Sequence, residues 1–128
     1  MRMLLDTHAL LWWAGGDAKL PRRVRTLIAD EANDVAVSAA SAWEIATKHR
    51  IGRLVAPGAL LDGILEYLVD QRFTEVPVSV RHAQRAGGLA GEHRDPFDRV
   101  LVAQAQIEGF AIVSVDRVFD DYGVHRVW

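Results

Sequence analysis

Two short apolar runs constrain this chain more than any other feature: Met3-Leu4-Leu5 near its start and Ala111-Ile112-Val113 near its end. Neither run alternates polar with apolar residues, and both read as short strands covered on two faces. Such strands belong to parallel sheets, where neighbours are joined by a helix-sized crossover. The intervening sequence supplies the crossovers. Helical patterns of about ten to fifteen residues alternate with further short β-branched segments, which predicts an α/β fold with helices on both faces of a parallel sheet.

Local signals divide the chain further. A first strand over 2–6 leads into a helix through 9–13, capped by Asp6 or Thr7 and closed by Gly15-Gly16. Pro21 opens a second helix with Val24, Leu27 and Ile28 on one face. A second strand covers 35–37, and a helix from Ser38 to Lys48 ends near Gly52. Pro57 begins one helix that spaces Leu60, Leu61, Ile64, Leu65 and Leu68 for a single buried face. A third strand over 73–78 contains Pro77, which restricts it to a sheet edge. Ser79 caps a helix that stops at Gly87-Gly88, and Asp95-Pro96 starts another that ends at Gly109. A fourth strand over 111–115, a short helical turn after Asp116 and a last strand over 124–128 complete one expected domain, 1–128.

Half of the 128 residues are apolar, enough for a sizeable core. Fifteen basic against seventeen acidic residues give a net charge of −2, so no global positive field marks a protein that coats nucleic acid. That balance still allows an enzyme that grips nucleic acid through a metal. The absence of cysteine excludes disulfides, zinc–thiolate sites and thiol catalysis. Asp6 and His8 interrupt the first apolar run too early for a signal peptide, and no uncharged apolar span approaches the roughly 18 residues of a membrane helix. The expectation is a cytoplasmic protein without membrane contact.

Acids stand where strands meet helices. Asp6 ends the first strand and Asp116 the fourth, Glu44 follows the second, and Asp98, with Asp95 beside it, opens the helix before the fourth. In open parallel sheets ligands bind at the carboxyl ends of strands. Each acid has a structural alternative. Ser41-x-x-Glu44 has capping-box spacing. Asp95 before Pro96 is a natural N-cap, and Asp98 falls in a first turn, where the helix dipole favours an anion. Asp6 and Asp116 can also cap. Caps alone, however, do not require acids where serine or threonine would serve. Gathered carboxylates repel one another unless a cation lies between them, and Mg²⁺ or Mn²⁺ suits such oxygen donors. Ions held this way can bind a phosphate and orient water for in-line attack, with no serine or histidine nucleophile.

Four segments carry a resemblance: Leu4-Leu5-Asp6-Thr7-His8, Ser41-Ala42-Trp43-Glu44-Ile45, His93-Arg94-Asp95-Pro96-Phe97-Asp98-Arg99 and Ser114-Val115-Asp116. Their order and separations resemble the PIN-domain ribonucleases, and closely the VapC toxins of bacterial and archaeal toxin–antitoxin pairs. The resemblance covers essentially the whole chain. It implies a PIN-like fold with a parallel five-strand sheet of order 3-2-1-4-5, which puts Asp6 and Asp116 on neighbouring strands. It also implies that Asp6, Glu44, Asp98 and Asp116 form the catalytic quartet that binds Mg²⁺, with Mn²⁺ able to substitute. Asp95 and Arg99 would stand next to that quartet or against substrate, and Thr7 and Ser114 would supply hydroxyls that steady carboxylates or water. An RNA substrate, a VapB-like antitoxin partner and a toxin homodimer follow from the same resemblance.

Other residues near the acids carry weaker signals. His8 and His93 fit ordinary loop hydrogen bonds better than catalysis. Arg94, Arg99 and Arg117 each neighbour a site acid and either offset its charge or hold RNA phosphates. Arg22, Arg23 and Arg25 read as a solvated helix face. Trp12 and Trp13 point about 100° apart on a helix, so one is expected in the core and the other on a surface for a partner.

The main competing function is a phosphoacceptor receiver domain, also a small α/β sheet with acids and Mg²⁺ at strand ends. A receiver needs a lysine late in the chain, and none follows Lys48. A phosphatase with Asp6 as nucleophile would want an acid where His8 stands. A structural module with acids only as caps predicts no metal affinity.

Overall fold

Side-chain alternation along β1 (Arg2–Leu5) sorts the core into two layers. In the computed structural model, which describes residues 1–93 and 95–128, this strand is the middle of five. The others are β2 (Asp34–Ser38), β3 (Thr74–Val76), β4 (Ala111–Val113) and β5 (Arg126–Val127). All pairings are parallel and the order is β3-β2-β1-β4-β5, as the resemblance implied. Successive residues of a strand face opposite sides of the sheet. Leu5 stands beside Val37 and Val113, and all three enter one layer; Leu4 stands beside Ala36 and Ile112, and these enter the other. Met3, Leu4 and Leu5 are completely buried, which explains a run without alternation.

Helices cover both faces. Leu10 and Leu11 of α1 (Thr7–Gly15), Val24 and Ile28 of α2 (Arg22–Ala29) and Ile45 of α3 (Ala39–Arg50) join the first layer. Leu60 of α4 (Gly58–Leu61) and Leu68 of α5 (Ile64–Gln71) complete it. On the other face, α6 (Val80–Gly88) packs against α7 (Pro96–Glu108), whose Leu101, Val102 and Ala105 meet Phe119 of a 3₁₀ turn, Arg117–Tyr122. No helix of the described residues is long and apolar enough to cross a membrane.

The structure departs from the sequence expectations in three places. The single helix expected from Pro57 is broken at Asp62-Gly63, where Gly63 is extended at φ 165°. Glycine is about 1 kcal/mol worse than alanine inside a helix, so the break falls at the weakest point of the segment. Leu60 and Leu68 are buried as a result, while Leu61 and Leu65 face outward. Strands β3, β4 and β5 are also shorter than expected, and Pro77, which has no N–H to give a ladder, lies just beyond β3 rather than within it. The Ser114 hydroxyl accepts the Asp116 N–H (2.9 Å), turning the chain just after Val113. Finally, the two tryptophans do not divide into core and surface. Both are half-buried, Trp12 against Trp128 and Trp13 against Phe73.

Candidate active site

At the carboxyl edge of the sheet, β1 and β4 each lead into an acid, and the helices α3 and α7 bring others to the same edge. Asp6 follows β1 and N-caps α1, its Oδ1 accepting the Ala9 N–H at 2.8 Å. Asp116 follows β4 and caps the 3₁₀ turn, accepting from the Val118 N–H at 3.0 Å. Asp95 caps α7 by accepting from the N–H groups of Phe97 (2.9 Å) and Asp98 (3.2 Å). With that cap filled, the Asp98 carboxylate is left for other work. Glu44 lies well inside α3, whose N-cap is Ser38 rather than Ser41. The capping-box alternative for Glu44 therefore does not apply. Capping is real for Asp6, Asp95 and Asp116, but it engages only the Oδ1 of each. All five acids line one cavity of about 340 Å³, together with Thr7, Lys48 and Trp12.

Hydroxyls and cations hold these carboxylates in place. Thr7 Oγ1 donates to Glu44 Oε1 at 2.5 Å, and the Thr7 and Ser41 hydroxyls lie 3.1 Å apart. Lys48 Nζ donates to the other Glu44 oxygen, Oε2. Ser114, fully buried, accepts the Asp116 N–H, and its hydroxyl lies near enough to Asp6 to lower that carboxyl's pKa. His93 Nε2 lies 2.9 Å from Asp98 Oδ2. Thr7 thus contacts the Glu44 carboxylate, and Ser114 contacts the backbone N–H of Asp116. Lys48 was absent from the sequence expectations. The signal for it was present, because residues four apart on a helix meet, and a glutamate preceding a lysine is the favoured orientation.

Arg99 behaves differently from either expectation. Its guanidinium donates to the carbonyls of Ala86 (2.9 Å), His93 (3.0 Å) and Leu89, and among the described residues it takes no carboxylate partner. A planar fork with five donors spreads them in a fixed geometry over three separate carbonyls, which the compact ammonium of a lysine does not reach together. Arg99 therefore fastens the loop that carries His93 to α7. Arg99→Lys is expected to lower the unfolding free energy by about 1–2 kcal/mol in urea titrations. Arg94 lies outside the described residues. Arg22 and Arg23 are exposed, as a solvated helix face requires, but Arg25 is half-buried, donating to the Asp17 carbonyl (2.9 Å) and lying over the Trp13 ring.

Burial sets the charge balance. Asp6 is only 6% exposed, and desolvation raises its pKa against the lowering effects of the Ser114 and Ala9 hydrogen bonds. Asp98 is pushed up to about 6, first by burial, with the His93 hydrogen bond opposing. Repulsion from Glu44 on Asp6, and from Asp95 and Asp6 on Asp98, acts in the same direction but is smaller. Desolvation, rather than crowding of like charges, is thus the leading cause. The Lys48 ammonium is raised, chiefly by its hydrogen bond to Glu44. Among the described residues, no three carboxylate or imidazole groups converge closely enough to share one ion as they stand.

The family model of the PIN domain matches residues 3–124. This chain belongs to the PIN-domain family. Ribonuclease VapC16 of Mycobacterium tuberculosis (strain ATCC 25618 / H37Rv) is 39% identical to it over 64 residues, which are 48% of this chain and 43% of that protein. The chain therefore matches less than half the length of that curated relative. Among solved structures, VapBC2 from Rickettsia felis, bound to a DNA fragment from their promoter, superposes with a TM-score of 0.68 at 14% identity. That match covers 99% of this PIN domain and 98% of the other chain. DNA-bound VapBC from Salmonella typhimurium gives a TM-score of 0.70 at 15% identity, covering 99% and 97% of the two chains. At such identities the shared property is the fold. The strand order also separates this PIN domain from receiver domains, which use 2-1-3-4-5.

Proposed function

We propose that this PIN domain is a Mg²⁺-dependent endoribonuclease and the toxin of a toxin–antitoxin pair. The observation that carries the reading is the cavity at the carboxyl edge of the sheet, to which separate elements deliver Asp6, Glu44, Asp98 and Asp116. The donor set suits a hard dication, because every candidate ligand is a carboxylate oxygen. Asp6 and Asp98 add a specific reason: burial disfavours their charged forms, and a bound cation would relieve that cost. Asp6, Glu44, Asp98 and Asp116 would hold Mg²⁺, and Mn²⁺ would substitute. When bound, the ion supplies Lewis acidity toward a phosphodiester and counter-charge for its leaving oxygen.

The protein's own groups do the positioning. Thr7 fixes Glu44, Ser114 holds the turn that presents Asp116, and the Asp95 cap leaves Asp98 lining the cavity. A carboxylate of the set takes the proton of the attacking water. The products would be a 5′-phosphate and a 3′-hydroxyl. The name of the matched relative, Ribonuclease VapC16, supports RNA as substrate. The VapBC complexes among the structural neighbours support a VapB-like antitoxin as partner, and a toxin homodimer is proposed with it from the family resemblance.

The test is incubation of purified protein with a mixed pool of cellular RNA, with Mg²⁺ or with chelator. Discrete fragments carrying 5′-phosphates and formed only with the metal are expected, and their end sequences would name the target. Metal-independent degradation would overturn the proposal. Failure to cleave any cellular RNA, together with no uptake of Mn²⁺ by calorimetry, would overturn the proposal, leaving Asp6 and Asp116 as caps and Glu44 and Asp98 as partners of Lys48 and His93.

A further inference from the structure

We propose that Lys48 grips the RNA backbone, its ammonium donating to a phosphate oxygen of the substrate at the acid cavity. The proposal rests on the ribonuclease reading of that cavity and adds a substrate contact to it. A glutamate–lysine pair four apart on a helix is commonplace on protein surfaces, where it is worth little. This pair is placed otherwise. The Glu44 side chain is 6% exposed and that of Lys48 33%, and both line the acid cavity. The ammonium donates to Glu44 Oε2 and lies within electrostatic reach of Asp95 and Asp98 at the start of α7. The Phe97 ring, one residue before Asp98, has its centroid 5.8 Å from Nζ, within cation–π range. Two helices thus hold this charge among the acids.

An anionic substrate needs a cation in that place. Five carboxylates line the cavity, and RNA adds a negative charge with each phosphate. Like charges repel strongly in a partly desolvated cavity, and a metal held by the carboxylates offsets only part of the sum. Lys48 is the only lysine or arginine among the described residues that line the cavity. Arg99, close to Asp98 in sequence, has its guanidinium engaged by the carbonyls of Ala86, Leu89 and His93. An ammonium beside a proposed metal ligand works against the metal but in favour of a phosphate, to which it is a compact point charge. It carries three N–H donors, and among the described residues Glu44 is its sole acceptor. One donor steadies Glu44, whose carboxylate keeps lone pairs for a metal, and the others serve the substrate.

Single-turnover cleavage of a short RNA spanning the mapped target tests the contact, at saturating Mg²⁺ and rising KCl. Lys48→Met is expected to raise the half-saturating protein concentration roughly tenfold, as the loss of a charge-assisted hydrogen bond does. The plot of its logarithm against log salt should be shallower than that of wild type by about 0.7, the value for one phosphate of a single strand. Lys48→Arg should keep the wild-type slope. Lys48→Gln replaces the methionine variant if near-ultraviolet circular dichroism shows that variant misfolded. A wild-type slope in the variant lacking the ammonium would overturn the proposal even if cleavage were slower, because Lys48 would then serve Glu44 alone. A slope lost equally in Lys48→Arg would overturn it too, since the charge would not be the cause. Wild type that cleaves no RNA would instead overturn the ribonuclease reading itself.

Discussion

Asp98→Asn is expected to slow Mg²⁺-dependent RNA cleavage by more than about a hundredfold, since even the loss of a residue that merely orients a metal ligand costs 10–100-fold. The substitution is close to isosteric and leaves the start of α7 alone, because the cap there is Asp95 and not Asp98. The remaining amide oxygen can still accept from His93, whose ring lies 2.9 Å away in the parent. Only the charge is lost. Single-turnover cleavage of a mapped target would measure the effect. A variant that cleaves within about threefold of wild type would remove Asp98 from the site, and the same measurement exposes a contaminating nuclease.

The second large effect concerns stability without metal, and its sign is unusual for a carboxylate. Asp98 has a folded pKa of about 6, raised from 3.8. A carboxylate raised in this way contributes stability that is fully present below its unfolded pKa and is lost as pH rises through the folded one. The native state holds the extra proton between those values, so the unfolding free energy falls as pH increases from about 4 to 6. With two pKa units at 1.36 kcal/mol each, the ionised Asp98 costs the metal-free fold roughly 3 kcal/mol at pH 7. Its side chain is only 21% exposed, so solvent screens little of that. Asp6 acts in the same direction.

Three melting curves follow from this. Metal-free wild type should melt lower at pH 7 than at pH 5. Asp98→Asn should melt above wild type at pH 7, with the gap closing toward pH 4. Millimolar Mg²⁺ or Mn²⁺ should raise the wild-type value at pH 7 and leave the variant less affected, since a ligand that binds the native state stabilises it. A wild-type melting temperature insensitive to both ions, or an Asp98→Asn variant less stable than wild type at pH 7, would contradict the assignment of Asp98 as a strained, cation-seeking carboxylate.

Local chemistry made much of this molecule legible in its sequence. Apolar runs at Met3-Leu4-Leu5 and Ala111-Ile112-Val113 marked central strands because a strand covered on two faces has no polar side to alternate with. Ser79 and Asp95 marked helix starts because an N-cap is satisfied by N–H groups two or three residues on. The strand order, by contrast, came with the family resemblance, since periodicity does not say which strands are neighbours. Four acids at strand–helix junctions were visible for the same local reason, and a sheet that ends every strand on one edge brings them to one cavity.

The tertiary structure decided what those residues do to one another. Arg99 could not be assigned to carbonyls of Ala86, Leu89 and His93 from a sequence that shows only its acidic neighbours. The break at Asp62-Gly63 turned Leu61 and Leu65 outward although their spacing fits a buried face. Asp6 and Asp98 owe their raised proton affinity mainly to burial, which depends on the chain that covers them rather than on the residues beside them. Lys48 shows the division most plainly. Its spacing from Glu44 is written in the sequence, but whether that pair faces water or a cavity of acids is set by the packing of α3 against α7. Hydrogen bonds between near neighbours are encoded where they form, whereas desolvation is a property of the assembled fold.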